Sequence, residues 1–546
     1  METSRMSVPP EERVSIYDHI LAHIPEDGPW LLPGGERLPD EPERDPEEGI
    51  TVTWAPGLID EILERGTVVG NEQAAGTSLR LIEDVLRDPS APGPYDALIE
   101  DLRSKENVGF LDPLVSRVYH AGFRRDQIRD LALRLATRSS DRMPVKVGIA
   151  LLGLCATIED RDTLLSLGRH EEFTHYVGIT LTNAFPDVET VLWELAQVVV
   201  LWGRINLVRQ LATTRRPEIK EWILKEATDQ HFFGSELAYI AATTCELAAA
   251  LRADEIDDVT YRAAGQILLH LIEARPSEWS EDIDDYEDGP EAIRRYLWHV
   301  DRRTPRFEAI LPIAKIVDYL ELRDRDEARE MAFARLDRED PWSSRRPLPK
   351  GWTNEERERS ATFARWILQR PAWRELIDEG LRSDDGWVFD QAETAATWFG
   401  DDTFPVVLDR ARRRTDDSGW YRATTLARDA GRWNEVLDAA YEKLMRHESK
   451  DGPMFPHWLT MITQEMQRFP GMGWPLFRAA LQSPLRMERR FGVGGLGFFL
   501  EDGWIWPSDA DDLLDVLART DPDRETRGWA TELLESSQST GRVTTP

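Results

Sequence analysis

Ala392-Glu-Thr-Ala-Ala-Thr-Trp398, a short polar break, then Phe404-Pro-Val-Val-Leu408, reads as the two helices of one hairpin. The hairpin stands between Gly386-Trp387 and Gly419-Trp420, and that dipeptide recurs outward from it in both directions. Gly-Trp also occurs at Gly351-Trp352, Gly473-Trp474, Gly503-Trp504 and Gly528-Trp529, with successive spacings of 35, 33, 54, 30 and 25 residues. The 54 leaves room for a longer unit. Glycine can close one helix or turn, and tryptophan can then plug the seam where the next helix begins. Repetition near 30 to 35 residues is the length of a helical hairpin, the unit that stacks into α-solenoids. Trp352, Trp387, Trp420, Trp474, Trp504 and Trp529 are therefore expected at structural repeat seams. Gly386, Gly419 and Gly528 should terminate or separate helices, leaving Trp387, Trp420 and Trp529 largely buried.

The first half carries the same helical text without the Gly-Trp marker. Leu131 to Ala136, Val147 to Cys155, Phe173 to Phe185, Val191 to Leu201 and Glu218 to Ala227 are each apolar on one face. Breaks such as Glu159-Asp-Arg-Asp162 and Thr213-Thr-Arg-Arg-Pro217 supply the residues favoured at helix starts. No stretch alternates as a strand between hairpin turns, so β-structure should be minor. A short helix is predicted from Pro10 to about Ile24, followed by a Pro-, Gly- and acid-rich arm from Pro25 to Gly49. A second break at Pro276 to Pro290, with Glu281-Asp-Ile-Asp-Asp-Tyr-Glu-Asp-Gly289, reads as too charged to bury, hence a surface loop. The predicted organisation is an all-α α-solenoid: an N-terminal helix and arm over 1–54, a helical-repeat half over 55–275, the acidic loop at 276–290, and a Trp-rich half over 291–546.

Two resemblances bear on the repeat type. Asp521-Pro-Asp-Arg-Glu-Thr-Arg-Gly-Trp-Ala-Thr-Glu-Leu533 resembles the inner helix of a HEAT repeat, and the 392–408 hairpin is similar. Leu426-Ala-Arg-Asp-Ala-Gly-Arg-Trp-Asn-Glu-Val-Leu437 is similar to a tetratricopeptide repeat, but the fuller signature of that family is missing and the spacing is irregular. HEAT-like hairpins are the expectation. In the first half, Leu201-Trp-Gly-Arg-Ile205, Glu221-Trp-Ile-Leu224, Glu236-Leu-Ala-Tyr239 and Trp54-Ala-Pro-Gly57 resemble a family of uncharacterised bacterial helical-repeat proteins. Some members carry the automatic label "limonene hydroxylase". Where relatives often place a Gly-Cys pair after the Trp helix, this chain has Glu226-Ala227-Thr228. The resemblance implies a fold and supplies no chemistry.

Composition narrows the partners. The 546 residues hold 100 acidic against 67 basic side chains, a formal charge of −33. Nucleic acid is bound by neutralising phosphates with Lys and Arg, and anionic membranes by similar means, so both are disfavoured. A protein partner is expected, a basic one among the options. The charge also keeps a long surface soluble. Two cysteines, Cys155 and Cys245, build neither a disulfide framework nor a zinc cluster, which fits a reducing, cytoplasmic setting. No signal-peptide core is visible, and the longest apolar run, Val191 to Gly203, is broken by Glu194 and Gln197.

Each chemical motif fails on spacing or context. Gly492-Val-Gly-Gly-Leu-Gly497 has the letters of a dinucleotide loop, but it follows Met487-Glu-Arg-Arg490 inside helical text and reads as a small face for helix packing. His170-Glu-Glu-Phe-Thr-His175 spaces its histidines five apart, off one helical face. His19 and His23 are spaced for a shared metal but lack a third ligand. The acidic loop puts Tyr286 and Glu287 where a calcium loop needs a ligand and a glycine. Arg412-Arg413-Arg414 and Arg345-Arg346 stand beside acids as ion-pair surface. No catalytic, cofactor-binding or metal-binding residue is assigned, and no cofactor is expected. The preferred reading is a non-catalytic binding or scaffolding protein. An acidic neutraliser of a basic protein and an enzyme of unrecognised type stand as alternatives.

Overall fold

The computed structural model describes residues 13–28, 30–41, 57, 60, 71–105, 107–225, 234–274, 281–321, 350–414, 419–447, 462–463, 465, 468–469, 471–501, 505–539 and 543–544. Among them helix dominates, and the strand pairing is two residues long, Ile505-Trp506 parallel to Val543-Thr544. The chain forms two compact units, the first running to Arg370 and the second beginning at Pro371.

In the first unit the helices are α1 (Ile16–His23), α2 (Asn71–Arg87), α3 (Pro92–Arg103), α4 (Leu111–Ala121), α5 (Arg125–Arg138), α6 (Arg142–Cys155), α7 (Arg161–Gly168), α8 (Glu171–Ala184), α9 (Val188–Gln197), α10 (Leu201–Gln210), α11 (Pro217–Lys225), α12 (Gly234–Thr244), the single turn α13 (Leu247–Ala250), α14 (Asp258–Glu273), α15 (Gly289–Arg302), α16 (Ile310–Glu321) and α17 (Asn354–Leu368). From α6 to α16 the chain returns to the same row at almost every second helix. Helices α6, α8, α10, α12, α14, α16 and α17 each pack on the next, while α7, α9, α11 and α15 lie against the row from outside it. The deeply buried row helix α6 is apolar on most sides, as a helix packed on several faces must be. In α6, Val145, Val147, Ile149, Leu151 and Leu152 are all inaccessible. Gly148 lets α5 approach closely: a Cβ there would lie 2.6 Å from the Ala136 nitrogen and 2.7 Å from the Ala132 carbonyl oxygen.

The second unit holds α18 (Pro371–Gly380), α19 (Gly386–Trp398), α20 (Phe404–Arg413), α21 (Gly419–Leu426), α22 (Ala430–His447), α23 (Trp474–Leu481), α24 (Arg486–Glu501), α25 (Ala510–Thr520) and α26 (Arg524–Ser539). Here α20, α22, α23 and α25 pack in succession, and α24 packs on α26. Its core centres on Trp420 and Trp433 with Phe389, Phe404, Val407, Phe477 and Phe499.

Ion pairs join neighbouring hairpins at a recurring sequence separation. Arg129 holds Asp160 through two 2.7 Å hydrogen bonds across 31 residues, and Arg161 reaches Glu194 across 33. Arg209 reaches Glu236 across 27, Arg422 reaches Glu393 across 29, and Arg490 reaches Asp523 across 33. In each of these pairs one side chain spans about one hairpin-length of sequence.

Two expectations need correction. The first helix begins at Ile16, well inside the predicted Pro10 start, because the Ser15 hydroxyl accepts the Asp18 N–H and caps it there. The acidic loop is not wholly a surface loop: Asp282, Ile283 and Tyr286 are buried. Its charges are absorbed locally, with the Asp284 and Asp285 N–H groups bonded back to Asp282 and the Tyr319 hydroxyl donating to Asp284 at 2.7 Å. Ile283 and Tyr286 then supply the apolar anchor that the charge count had hidden.

Candidate functional site

The five Gly-Trp tryptophans among the described residues occupy unlike environments. Trp420, the second residue of α21, is buried, with the Lys443 ammonium 5.1 Å from its ring. Trp352 and Trp474 are half-buried, the latter donating its indole N–H to Asp509 at 3.0 Å. Trp387 and Trp529 are 38% and 44% exposed, against the expectation of burial. Trp504 lies outside the described residues. Position explains the spread. Gly386 and Gly419 open α19 and α21, while Gly351 and Gly473 take left-handed φ of 73° and 76° just ahead of a helix. Gly528 sits inside α26 and separates nothing. For the helical Trp387, Trp420, Trp474 and Trp529, the face of the helix on which each falls decides its burial. Trp373 and Trp433, with no preceding glycine, are both fully buried.

Among the described residues a dense polar constellation lies elsewhere, at the N-terminal ends of α6 and α8. Arg142 and Lys146 are four residues apart and so share one face of α6. His170, Glu171 and Glu172 begin α8. Lys146 is 2% exposed, and its ammonium pairs with Glu172 at 2.5 Å and with Asp60. A lysine that deep must be paired, since an isolated buried charge is too costly. Tyr176 donates its hydroxyl to Asp60 at 2.9 Å, and the Gly57 N–H donates to Glu172 at 3.2 Å. Arg142 donates to both carboxylate oxygens of Asp40 at 3.0 Å and to Glu41 at 3.2 Å, and lies 3.6 Å from Glu172.

Next to this network, the buried His170 ring accepts the Glu172 N–H on Nδ1 at 3.2 Å. That leaves Nε2 as the protonated nitrogen, 3.2 Å from the Glu36 carbonyl oxygen to which it donates. Burial lowers His170 to about 4, so the ring is neutral at physiological pH. Burial works to raise Glu172, but Lys146 and Arg142 outweigh it and hold that carboxyl below its ordinary range. Its neighbour Glu171 lacks such cations, and burial pushes it up to about 7.

The arrangement binds three separate stretches together: residues 13–41, the segment at Gly57 and Asp60, and the α6–α8 pair. Four carboxylates, on Asp40, Glu41, Asp60 and Glu172, converge on the two cations Arg142 and Lys146. Chemically this is an electrostatic clasp, with Glu171 beside it as a carboxyl able to exchange a proton near neutral pH. Among the described residues no group of three or more His, Cys, Asp or Glu could hold a metal ion, and no helix is long and apolar enough to cross a membrane. The sequence did carry one signal for the clasp, a lysine inside the apolar run Val145-Lys146-Val147, whose burial demands a carboxylate partner. Its partners come from sequence positions 26 and 86 residues away, so periodicity could not name them. Comparison with known protein families, curated proteins and solved structures gives no match to this chain.

Proposed function

We propose that the chain is a HEAT-like α-solenoid that acts as a non-catalytic binding or scaffolding protein for a protein partner. The observation that carries this reading is the row from α6 to α17, in which each helix packs on the next and the intervening helices lie outside it. Stacked hairpins of that kind contact only their neighbours and present extended surfaces suited to binding. The hairpin-length separation of Arg129–Asp160, Arg161–Glu194 and Arg422–Glu393 supports the same reading. A formal charge of −33 favours a basic partner, captured through electrostatic steering. It also supports, as a second reading, neutralisation of a basic protein. The test is crosslinking in native extract followed by reconstitution of the purified pair. A stoichiometric complex that weakens as salt rises is the expected result. Failure to reconstitute any complex, together with turnover of a small molecule by the pure protein, would overturn the proposal.

A further inference from the structure

The clasp has an unusual division of labour. Residues 13–41 form an arm whose helix α1 packs on α5 and α7, and whose later residues add polar contacts at the ends of α6, α7 and α8. Arg13 pairs with Asp141 at 3.6 Å, and the Ile16 N–H donates to the Ser139 carbonyl oxygen at 2.9 Å. The Gly28 carbonyl oxygen accepts from Arg169 at 2.9 Å, the Glu36 carbonyl oxygen faces His170, and Asp40 and Glu41 meet Arg142. The large apolar residues that the arm buries are Ile16, Ile20 and Leu38. Others point outward: Val14 is 51% exposed, Leu21 41%, Trp30 58% and Leu32 44%. The arm thus combines an apolar anchor, Ile16, Ile20 and Leu38, with a polar grip made by two carboxylates, Asp40 and Glu41, and by backbone carbonyls.

The surface beneath it offers the arm cationic and N–H donors. Arg142 stands in the first turn of α6, Arg169 follows the last residue of α7, and His170 precedes α8, while Lys146 is already paired with Asp60 and Glu172. This seat supplies donors for a carboxylate pair (Arg142) and for backbone carbonyls (Arg169 and the His170 Nε2–H). Such donors recognise an acidic peptide segment, and the helix-free part of the arm that carries Glu36, Asp40 and Glu41 is one.

We propose that this seat is a binding site for acidic peptide segments, and that residues 13–41 occupy it as a tethered competitor. The site is distinct from the acidic outer surface invoked above and takes a partner of opposite charge. Tethering sets the arm's effective concentration in the millimolar range, so an outside peptide gains access only when the arm's own contacts weaken. Arg142 is the discriminating group, because it alone of the three grips two carboxylates of the arm.

The test uses the full chain and a fluorescent peptide with the sequence of residues 26–41. Wild type should bind it weakly. The Asp40→Asn/Glu41→Gln variant keeps the shape of the arm but loses its grip on Arg142, and should bind the peptide at least tenfold more tightly. Adding Arg142→Gln should abolish that gain. A peptide carrying Asn and Gln in place of its own Asp40 and Glu41 should bind neither protein. Hydrogen exchange on the double variant supplies the control for folding. Exchange at residues 16–23 and 32–41 should speed at least tenfold while α6 and α8 keep their protection. If α6 and α8 open by the same factor, the arm is an integral part of the fold and the proposal falls. It falls equally if the double variant gains no affinity, or if the gain survives Arg142→Gln.

Discussion

Arg489 and Asp521 form a buried, doubly hydrogen-bonded ion pair, with Nε 2.6 Å from Oδ2 and Nη2 3.1 Å from Oδ1. Their side chains are 7% and 0% exposed, and 32 residues separate them in sequence. The remaining Arg489 donor, Nη1, meets the Ser483 and Pro484 carbonyl oxygens at 3.0 and 2.8 Å. Asp521 in turn accepts the Asp523 N–H at 2.8 Å, just ahead of α26. One pair thereby ties the start of α24 to the start of α26.

Breaking that pair from one side should cost more than deleting it. Asp521→Ala leaves a guanidinium buried without its counter-ion, and removing one partner of a buried pair typically costs about 3 to 5 kcal/mol. The Arg489→Met/Asp521→Leu double variant carries no stranded charge and should lose distinctly less, though the Ser483 and Pro484 carbonyls lose their donor. Chemical denaturation of the three proteins decides this. A double variant less stable than Asp521→Ala would refute the argument.

Tryptophan substitutions should sort by burial and not by the preceding glycine. Trp373, Trp420 and Trp433 are inaccessible, so Ala at any of them opens a cavity and should cost about 3 to 5 kcal/mol. Trp387→Ala and Trp529→Ala remove half-solvated rings and should cost roughly 1 kcal/mol or less, the range expected away from a packed core. Urea midpoints monitored by far-UV circular dichroism would check the ranking. Equal losses at Trp529 and Trp433 would contradict it.

Stability around the clasp should respond to pH through groups of opposite sign: His170, joined at lower pH by Glu172, against Glu171. His170 titrates at about 4 in the folded chain and near 6.5 unfolded, so its contribution is full above 6.5 and is lost as pH falls from 6.5 to 4. That loss is on the order of 3 kcal/mol. Glu171 is raised to about 7 from 4.5, so its contribution is full below 4.5 and is lost as pH rises through 7. Glu171→Gln removes the second effect alone. The variant should be more stable than wild type at pH 8, with the gap closing by pH 5. Denaturation curves at those two pH values test this, and a gap that does not change with pH would rule it out.

The parts of the architecture that were legible in sequence were local. Helical text in Val147 to Cys155 and Phe173 to Phe185 became α6 and α8, because one chain segment carries the whole periodic signal. Of the clasp only Lys146, a lysine in an apolar run, was legible, since its carboxylates come from Asp60 and Glu172, positions that only the tertiary structure brings together. Gly-Trp misled on burial for a related reason. A dipeptide can mark a helix start, as at Gly386 and Gly419, but which face then points inward depends on the neighbouring hairpin. The acidic loop failed because charge was weighed by count, while Asp282 is buried by turn bonds its own neighbours make.

The glycine run 492–497 offers the sharpest contrast between adjacent positions. It lies within α24, so its glycines do not form a strand-to-helix phosphate loop. A Cβ at Gly495 would sit 2.1 Å from the Phe477 ring carbon Cε1 and 2.7 Å from Cζ, inside the packed α23–α24 seam. The Phe477 ring is 1% exposed and leans edge-on against Phe499 at 5.6 Å, so it has little room to retreat. Gly495→Ala should therefore destabilise the second unit by about 1 to 3 kcal/mol, the usual cost of overpacking. Gly494, one residue earlier, faces open space on the same helix. There Ala adds no contact and removes the backbone freedom glycine gives the unfolded chain, so Gly494→Ala should stabilise by about 0.5 to 1 kcal/mol. Opposite signs at neighbouring positions in urea denaturation are the expected outcome. Two losses of equal size would mean that residue 494 is covered, and two gains would mean that Phe477 moves aside.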